Sequence, residues 1–175
     1  MIPSIPTTYD GVRFRSRLEA RWAYFFNAFG IKWQYEPYEL DGWIPDFVFK
    51  GQHEEILVEV KPVTSRCPVL ETRLAKYLKP GIEILILGNS PLFGVPDQFT
   101  DDLLAGWLLD NSGDFEDALW GLNKAGHLDF WHRYNSFHYR LSGEYEGDHH
   151  IKSPSFNFLE SVWKDAGNET QWNKR

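Results

Sequence analysis

Pro45-Asp46 is followed, after twelve residues, by Glu59-Val60-Lys61, and Glu19 lies upstream. Two carboxylates and an ammonium on neighbouring strands form a compact means of holding a divalent cation against a phosphodiester. Hard oxygen donors suit Mg²⁺ or Mn²⁺ better than zinc. On one strand Glu59 and Lys61 share a face, with about 6.5–7 Å between their Cα atoms. Leu57 shares that face, and charges set among apolar neighbours need compensation, which raises the functional reading. Each residue also has a bland explanation. Glu59 and Lys61 could be a solvent-facing pair on an edge strand, and Asp46, following a proline, could mark a turn or bulge. The joint pattern is stronger than its parts.

The elements that must position these residues can be read from periodicity. Leu18, Trp22, Phe25, Phe26 and Phe29 recur at helical spacing, with Ser16 before them and Gly30 after, which predicts a helix over about 17–29. Ser16-Arg17-Leu18-Glu19 also fits a capping box in which Glu19 bonds back to the Ser16 amide. Cap and metal ligand have equal claims on Glu19. Ile31 to Tyr35, Trp43 to Phe49 (interrupted by Pro45) and Glu55 to Val60 read as strands. The short polar loop Gly51-Gln52-His53 makes the last two an antiparallel hairpin that sets Asp46 beside Glu59. A helix over 70–78 and an apolar strand over 82–87 complete a mixed sheet covered on both faces. Tyr9-Asp10-Gly11 reads as a turn. Farther on, 101–109 is helix or strand, and 114–119 is another short element. Leu128–Tyr134 and Phe137–Leu141 make a hairpin around Asn135-Ser136, and 155–165 is a closing helix burying Phe158, Val162 and Trp163.

The 175 residues are 42% hydrophobic and 17% aromatic, enough for a sizeable core and against disorder. A single cysteine, Cys67, excludes an intramolecular disulfide and a cysteine zinc cluster. No apolar run approaches the roughly 20 residues of a membrane helix, so a cytoplasmic protein is expected. The net charge of −7 is unevenly spread: residues 1–81 carry 11 Lys/Arg against 10 Asp/Glu, whereas 82–175 carry 7 against 15. This divides the chain into a core over 1–95 and an acidic accessory region over 96–175 that serves solubility or meets a basic protein partner. Arg13, Arg15, Arg17 and Arg21 flank Glu19. Cations at a helix start oppose its dipole, so phosphate contact is favoured for them. Trp33, Tyr35 and Tyr38 read as core rather than base-stacking residues. His127, His132, His138, His149 and His150 crowd the second half, but histidine spacing alone is weak evidence for zinc. Lys76 and Lys79 read as solvated.

Glu19 on the first helix, then Pro45-Asp46, then Glu59-Val60-Lys61 is an order that resembles the PD-(D/E)-x-K nuclease superfamily. Ser16-Arg17-Leu18-Glu19-Ala20-Arg21-Trp22-Ala23 and Ile44-Pro45-Asp46-Phe47 look like phage-encoded members, and are similar to transposon-end-cleaving and junction-resolving relatives. The resemblance spans roughly residues 8–90. It implies an α/β fold with a mixed central β-sheet flanked by helices, a restriction-endonuclease-like core, behind which the C-terminal hairpin and helix read above form the accessory region. It implies Mg²⁺ (Mn²⁺ substituting) held by Asp46, Glu59 and the Val60 carbonyl, with Glu19 completing the shell, and Lys61 positioning or activating the attacking water. The expected reaction is endonucleolytic hydrolysis of DNA, with a homodimer if the substrate is branched. The alternative is a catalytically silent nuclease-fold module that binds nucleic acid or a protein.

Overall fold

A computed structural model describes residues 4–91, 102–134, 138–145 and 152–171. Thr7–Tyr9 (β1) and Val12–Phe14 (β2) form a small hairpin closed by Asp10-Gly11, both with left-handed φ (49° and 75°). Tight hairpin turns need that conformation, and Asp-Gly tolerates it. The helix Arg17–Ala28 (α1) follows, then strands Gln34–Tyr35 (β3), Phe47–Lys50 (β4) and Glu55–Val60 (β5), helix Pro68–Ala75 (α2) and strand Ile82–Leu87 (β6). Strands Leu104–Leu109 (β7), Phe115–Leu122 (β8) and Leu128–His132 (β9) precede the helix Phe156–Glu169 (α3).

The seven strands β3 to β9 form one mixed sheet in sequence order. Only β5 and β6 run parallel; they are joined by α2, since parallel neighbours require a crossover. Alternation along β5 sends Ile56, Val58 and Val60 into a core with Trp22, Phe25 and Phe26 of α1 and Leu159 and Trp163 of α3. Leu57 points the other way, toward Leu70 and Leu74 of α2. The Trp22 indole donates to the Gly88 carbonyl at 2.9 Å, fixing α1 to the end of β6. No helix among the described residues is long and apolar enough to cross a membrane.

Several boundaries differ from expectation for identifiable reasons. The strand read over 43–49 begins only at Phe47, because Pro45 has no amide to donate to a ladder. The strand read over 31–35 contracts to Gln34–Tyr35. Helix α2 starts earlier and ends sooner than 70–78: Pro68 suits a first helical position, and Lys76 caps the end. The element left open as helix or strand is strand over Leu104–Leu109, with Gly106 lying so close to β6 that a Cβ there would meet the Ile86 carbonyl oxygen at 2.2 Å. The strand after Leu128 pairs along its length with β8 across the Asn123–Gly126 turn, and the expected return segment meets it through the Arg140 amide, which donates to the Phe130 carbonyl at 2.9 Å. The return segment is tied by a side chain: buried Asp129 accepts the Leu141 and Ser142 amides, both at 2.9 Å. Asn135, Ser136 and Phe137 lie outside the described residues. In α3 the buried face is Leu159, Trp163 and Ala166, whereas Phe158, expected inside, is 58% exposed.

Candidate active site

The β4–β5 register places Phe47 opposite Val58, so Asp46 and Glu59 are the next pair outward, at the end of the ladder. Both carboxylates are buried. Asp46 Oδ2 accepts the Val60 amide at 2.7 Å, which locks the side chain across the strand end. Glu59 Oε2 accepts the Trp43 indole N–H at 2.8 Å, and its Oε1 lies 3.2 Å from Arg73 Nη2. The Lys61 ammonium stands between the two acids, 2.8 Å from Glu59 Oε1 and 3.8 Å from Asp46 Oδ2, and donates to the Val60 carbonyl at 3.2 Å. Three oxygen donors therefore converge on one cation. Burial raises the Asp46 carboxyl, pushed up to about 7, and the neighbouring Glu59 charge adds to this; Lys61 and the Val60 amide oppose it.

Glu19 is buried in the first turn of α1 and has a full set of donors. Ser16 Oγ accepts the Glu19 amide at 3.1 Å and donates to Glu19 Oε1 at 2.8 Å. Oε2 accepts the Tyr35 hydroxyl at 2.6 Å and the Arg15 amide at 3.1 Å. The cap is thus real, but the amide it satisfies is that of Arg15 rather than Ser16. Burial and the Glu19 carboxylate raise the Tyr35 phenol well above its ordinary value. Tyr35 is therefore a donor at all physiological pH, pinning Glu19 at the rim of the cleft.

The four arginines of the basic strip diverge. Arg15 Nη2 meets Asp46 Oδ1 at 2.7 Å and Nε meets Glu36 at 2.5 Å. Arg17 lines the same cleft and donates to the Gly167 carbonyl at 2.9 Å. Arg21 instead donates twice to the Trp163 carbonyl, at 3.1 and 2.8 Å, with its guanidinium 4.0 Å from the Trp163 ring centroid. It ties α1 to α3. Arg13 is an exposed residue of β2, away from the cleft-lining set.

Glu19, Asp46, Val60, Lys61 and the arm residues Ser4 and Ile5 line a cleft of about 770 Å³. An adjoining hollow of about 430 Å³ is lined by Trp43, Glu59, Arg73, Lys76 and Tyr77. Arg15 and Lys61 belong to both, so they stand on the divide. Trp43, Arg73, Tyr35 and Glu36 were not marked by any local spacing; the first three reach the carboxylates, and Glu36 reaches Arg15, only through tertiary packing. Lys76 lies over the Tyr77 ring at 4.8 Å, while Lys79 is exposed outside both hollows.

Among the described residues, no three His, Cys, Asp or Glu side chains form a metal-holding group. The donor set around Lys61 Nζ is of another composition: two carboxylate oxygens and a backbone carbonyl, all hard donors, already gathered about a positive charge. That set fits an oxygen-seeking divalent ion once the ammonium moves aside. Glu19 is held by Ser16, Tyr35 and Arg15 rather than by that point. His132 is buried and accepts the Tyr134 amide at 3.2 Å, and burial lowers its pKa, so it is a neutral core histidine; His149 and His150 lie outside the described residues. No model of a known family matches the chain, and neither a curated protein nor a solved structure matches it.

Proposed function

We propose that this chain is a metal-dependent endonuclease that hydrolyses phosphodiester bonds in DNA, built on a restriction-endonuclease-like core of the PD-(D/E)-x-K kind. The convergence of Asp46 Oδ2, Glu59 Oε1 and the Val60 carbonyl on one cationic nitrogen carries the reading. Asp46, Glu59 and that carbonyl would hold Mg²⁺ or Mn²⁺. A bound ion supplies Lewis-acid stabilisation of the phosphoryl oxygens and the leaving oxygen.

The remaining chemistry belongs to the protein's own groups. The Val60 amide and the Trp43 indole hold the two carboxylates in fixed orientation, so little reorganisation is needed when charge develops. The Lys61 ammonium, set between two carboxylates, is placed to orient a water and offset phosphate charge. Glu19, with its two oxygens fixed by Ser16 and Tyr35, faces the same cleft as a water-orienting acceptor. The test is incubation of plasmid, single-stranded and branched DNA with Mg²⁺ or Mn²⁺, comparing wild type with Glu59→Ala. Cutting by the wild type alone supports the enzyme; equal inactivity of both on every substrate removes it.

One observation favours a second reading. Both key carboxylates already carry cationic partners of their own, as a silent binding module would require. Calorimetry with Mn²⁺ separates the two, since such a module would take up no ion.

A further inference from the structure

The self-neutralised state of the site has a direction built into it, and Arg15 is its movable part. Asp46 is 1% exposed in its side chain, whereas that of Arg15 is 55% exposed. If the pair separates, the guanidinium passes into water at little cost, but the carboxylate must find another cation. The Arg15 backbone does not share this freedom. Its amide is held by Glu19 Oε2 at 3.1 Å and the Tyr35 hydroxyl at 2.9 Å. Nε is held by Glu36, whose own amide donates to the Asp46 carbonyl at 3.1 Å. Glu36 adopts φ 44°, a left-handed conformation that a non-glycine residue keeps only when its surroundings impose it. The guanidinium is thus hinged on Glu36, with its other end on Asp46.

Charge says when it would move. Around the cleft divide, Glu19, Glu36, Asp46 and Glu59 face Arg15, Lys61 and Arg73. With Arg17, Lys76 and Glu39 lining the two hollows farther out, the charges balance, so the metal-free site has no surplus cation to offer a phosphate. A divalent ion at Asp46 and Glu59 tips the balance to positive and makes the Arg15 guanidinium a surplus cation. Its planar fork matches phosphate oxygens in a way that an ammonium does not.

We propose, resting on the nuclease reading above, that Arg15 is an exchangeable counter-ion: it guards Asp46 in the metal-free protein and turns onto a backbone phosphate of the nucleic acid when a divalent ion takes its place. Arg15 then couples metal entry to substrate binding. It competes with the ion for Asp46, yet supports the phosphate after the ion has entered. Its position on the border of both hollows gives the released guanidinium access to a strand on either side.

The opposed signs provide the test. Full-length wild type, Arg15→Gln, Arg15→Ala and Arg15→Lys are titrated with MnCl₂ by calorimetry at pH 8. Each is then titrated into a fluorescently labelled DNA duplex in Ca²⁺ buffer over a series of salt concentrations. Removing the competitor should tighten Mn²⁺ binding on the order of tenfold in Arg15→Gln and Arg15→Ala, within the roughly 5–150-fold typical of coupled charges. DNA binding by the same variants should weaken, and its log–log salt slope should fall by about 0.9, one phosphate contact. Arg15→Lys keeps the charge and should stay near wild type for Mn²⁺. Thermal melts identify any variant that misfolds, and Arg15→Gln, which keeps most of the stem, carries the test if Arg15→Ala does not fold. Unchanged or weaker Mn²⁺ binding in Arg15→Gln, with wild type binding normally, overturns the exchange and leaves the nuclease reading intact. Failure of wild type and all variants to bind Mn²⁺ at millimolar concentration overturns both.

Discussion

Replacing Asp46 by Asn should stabilise the metal-free protein, and by an amount that depends on pH. Asp46 is fully buried, and burial, with Glu59 beside it, pushes its carboxyl from 3.8 up to about 7. At about 1.4 kcal/mol per pH unit, the ionised form costs on the order of 4 kcal/mol at pH 8. Part of this is returned by the Arg15 pair at 2.7 Å, but Arg15 is 55% exposed and such a contact contributes about 1 kcal/mol. Asparagine keeps an acceptor for the Val60 amide and has no charge to desolvate. The net expectation is a gain of about 3 kcal/mol at pH 8, or about 6–12 °C in Tm for a chain of this length. The sign follows from linkage: the folded-state value lies above the unfolded one, so wild type loses stability as pH rises from about 4 to about 7 and is level beyond. The variant lacks this loss. Its advantage should therefore vanish below about pH 4, where the aspartate is protonated in both states. Urea unfolding of both proteins in EDTA from pH 4 to 8 measures the difference directly. A variant less stable at pH 8, or a difference that does not change with pH, would refute the claim that the site stores a desolvated charge.

Other expectations concern the frame around the site. Glu83 on β6 is buried, which pushes its carboxyl up to about 7 despite Arg140 at 3.1 Å, so the same sign applies: its contribution is lost between about pH 4.5 and 7. Glu83→Gln should flatten that decline, worth on the order of 2–3 kcal/mol, while Mn²⁺ affinity by calorimetry stays unchanged. Arg21→Met should cost about 1–2 kcal/mol in urea unfolding through loss of the Trp163 tether, with the salt slope of DNA binding unaltered. Gly106→Ala should cost about 2–3 kcal/mol, because the added Cβ would lie 2.2 Å from the Ile86 carbonyl oxygen and backbone cannot yield there.

How much of this was legible beforehand follows from the range of the forces involved. The α1 helix and β5 were readable because each carries its whole signal locally: a stripe with a Ser16 cap in one, strict alternation in the other. The hairpin of β4 and β5 followed from a short loop, and the setting of Asp46 beside Glu59 followed from the hairpin. Trp43, Tyr35 and Arg73 were not readable, since each reaches its carboxylate from a separate loop, strand or helix. The basic strip looked uniform along the chain, but packing of α3 onto α1 drew Arg21 into a structural tether and left Arg15 at the cleft. The β9 pairing was readable only in part, for a similar reason: the Arg140 amide does meet the Phe130 carbonyl, but β8 is the strand's ladder partner. Asp129 satisfies the amides that a further strand would have paired, and no local pattern marks a side chain acting as a ladder rung.

The most direct measurement is the anomalous difference map of a crystal of this protein soaked in Mn²⁺. The site geometry predicts one ion within about 2.0–2.6 Å of Asp46 and Glu59 oxygens, with the Lys61 ammonium displaced from between them and the Arg15 guanidinium away from Asp46. An ion bound elsewhere, with Lys61 still bridging the two carboxylates in a preparation that cuts DNA, would contradict it.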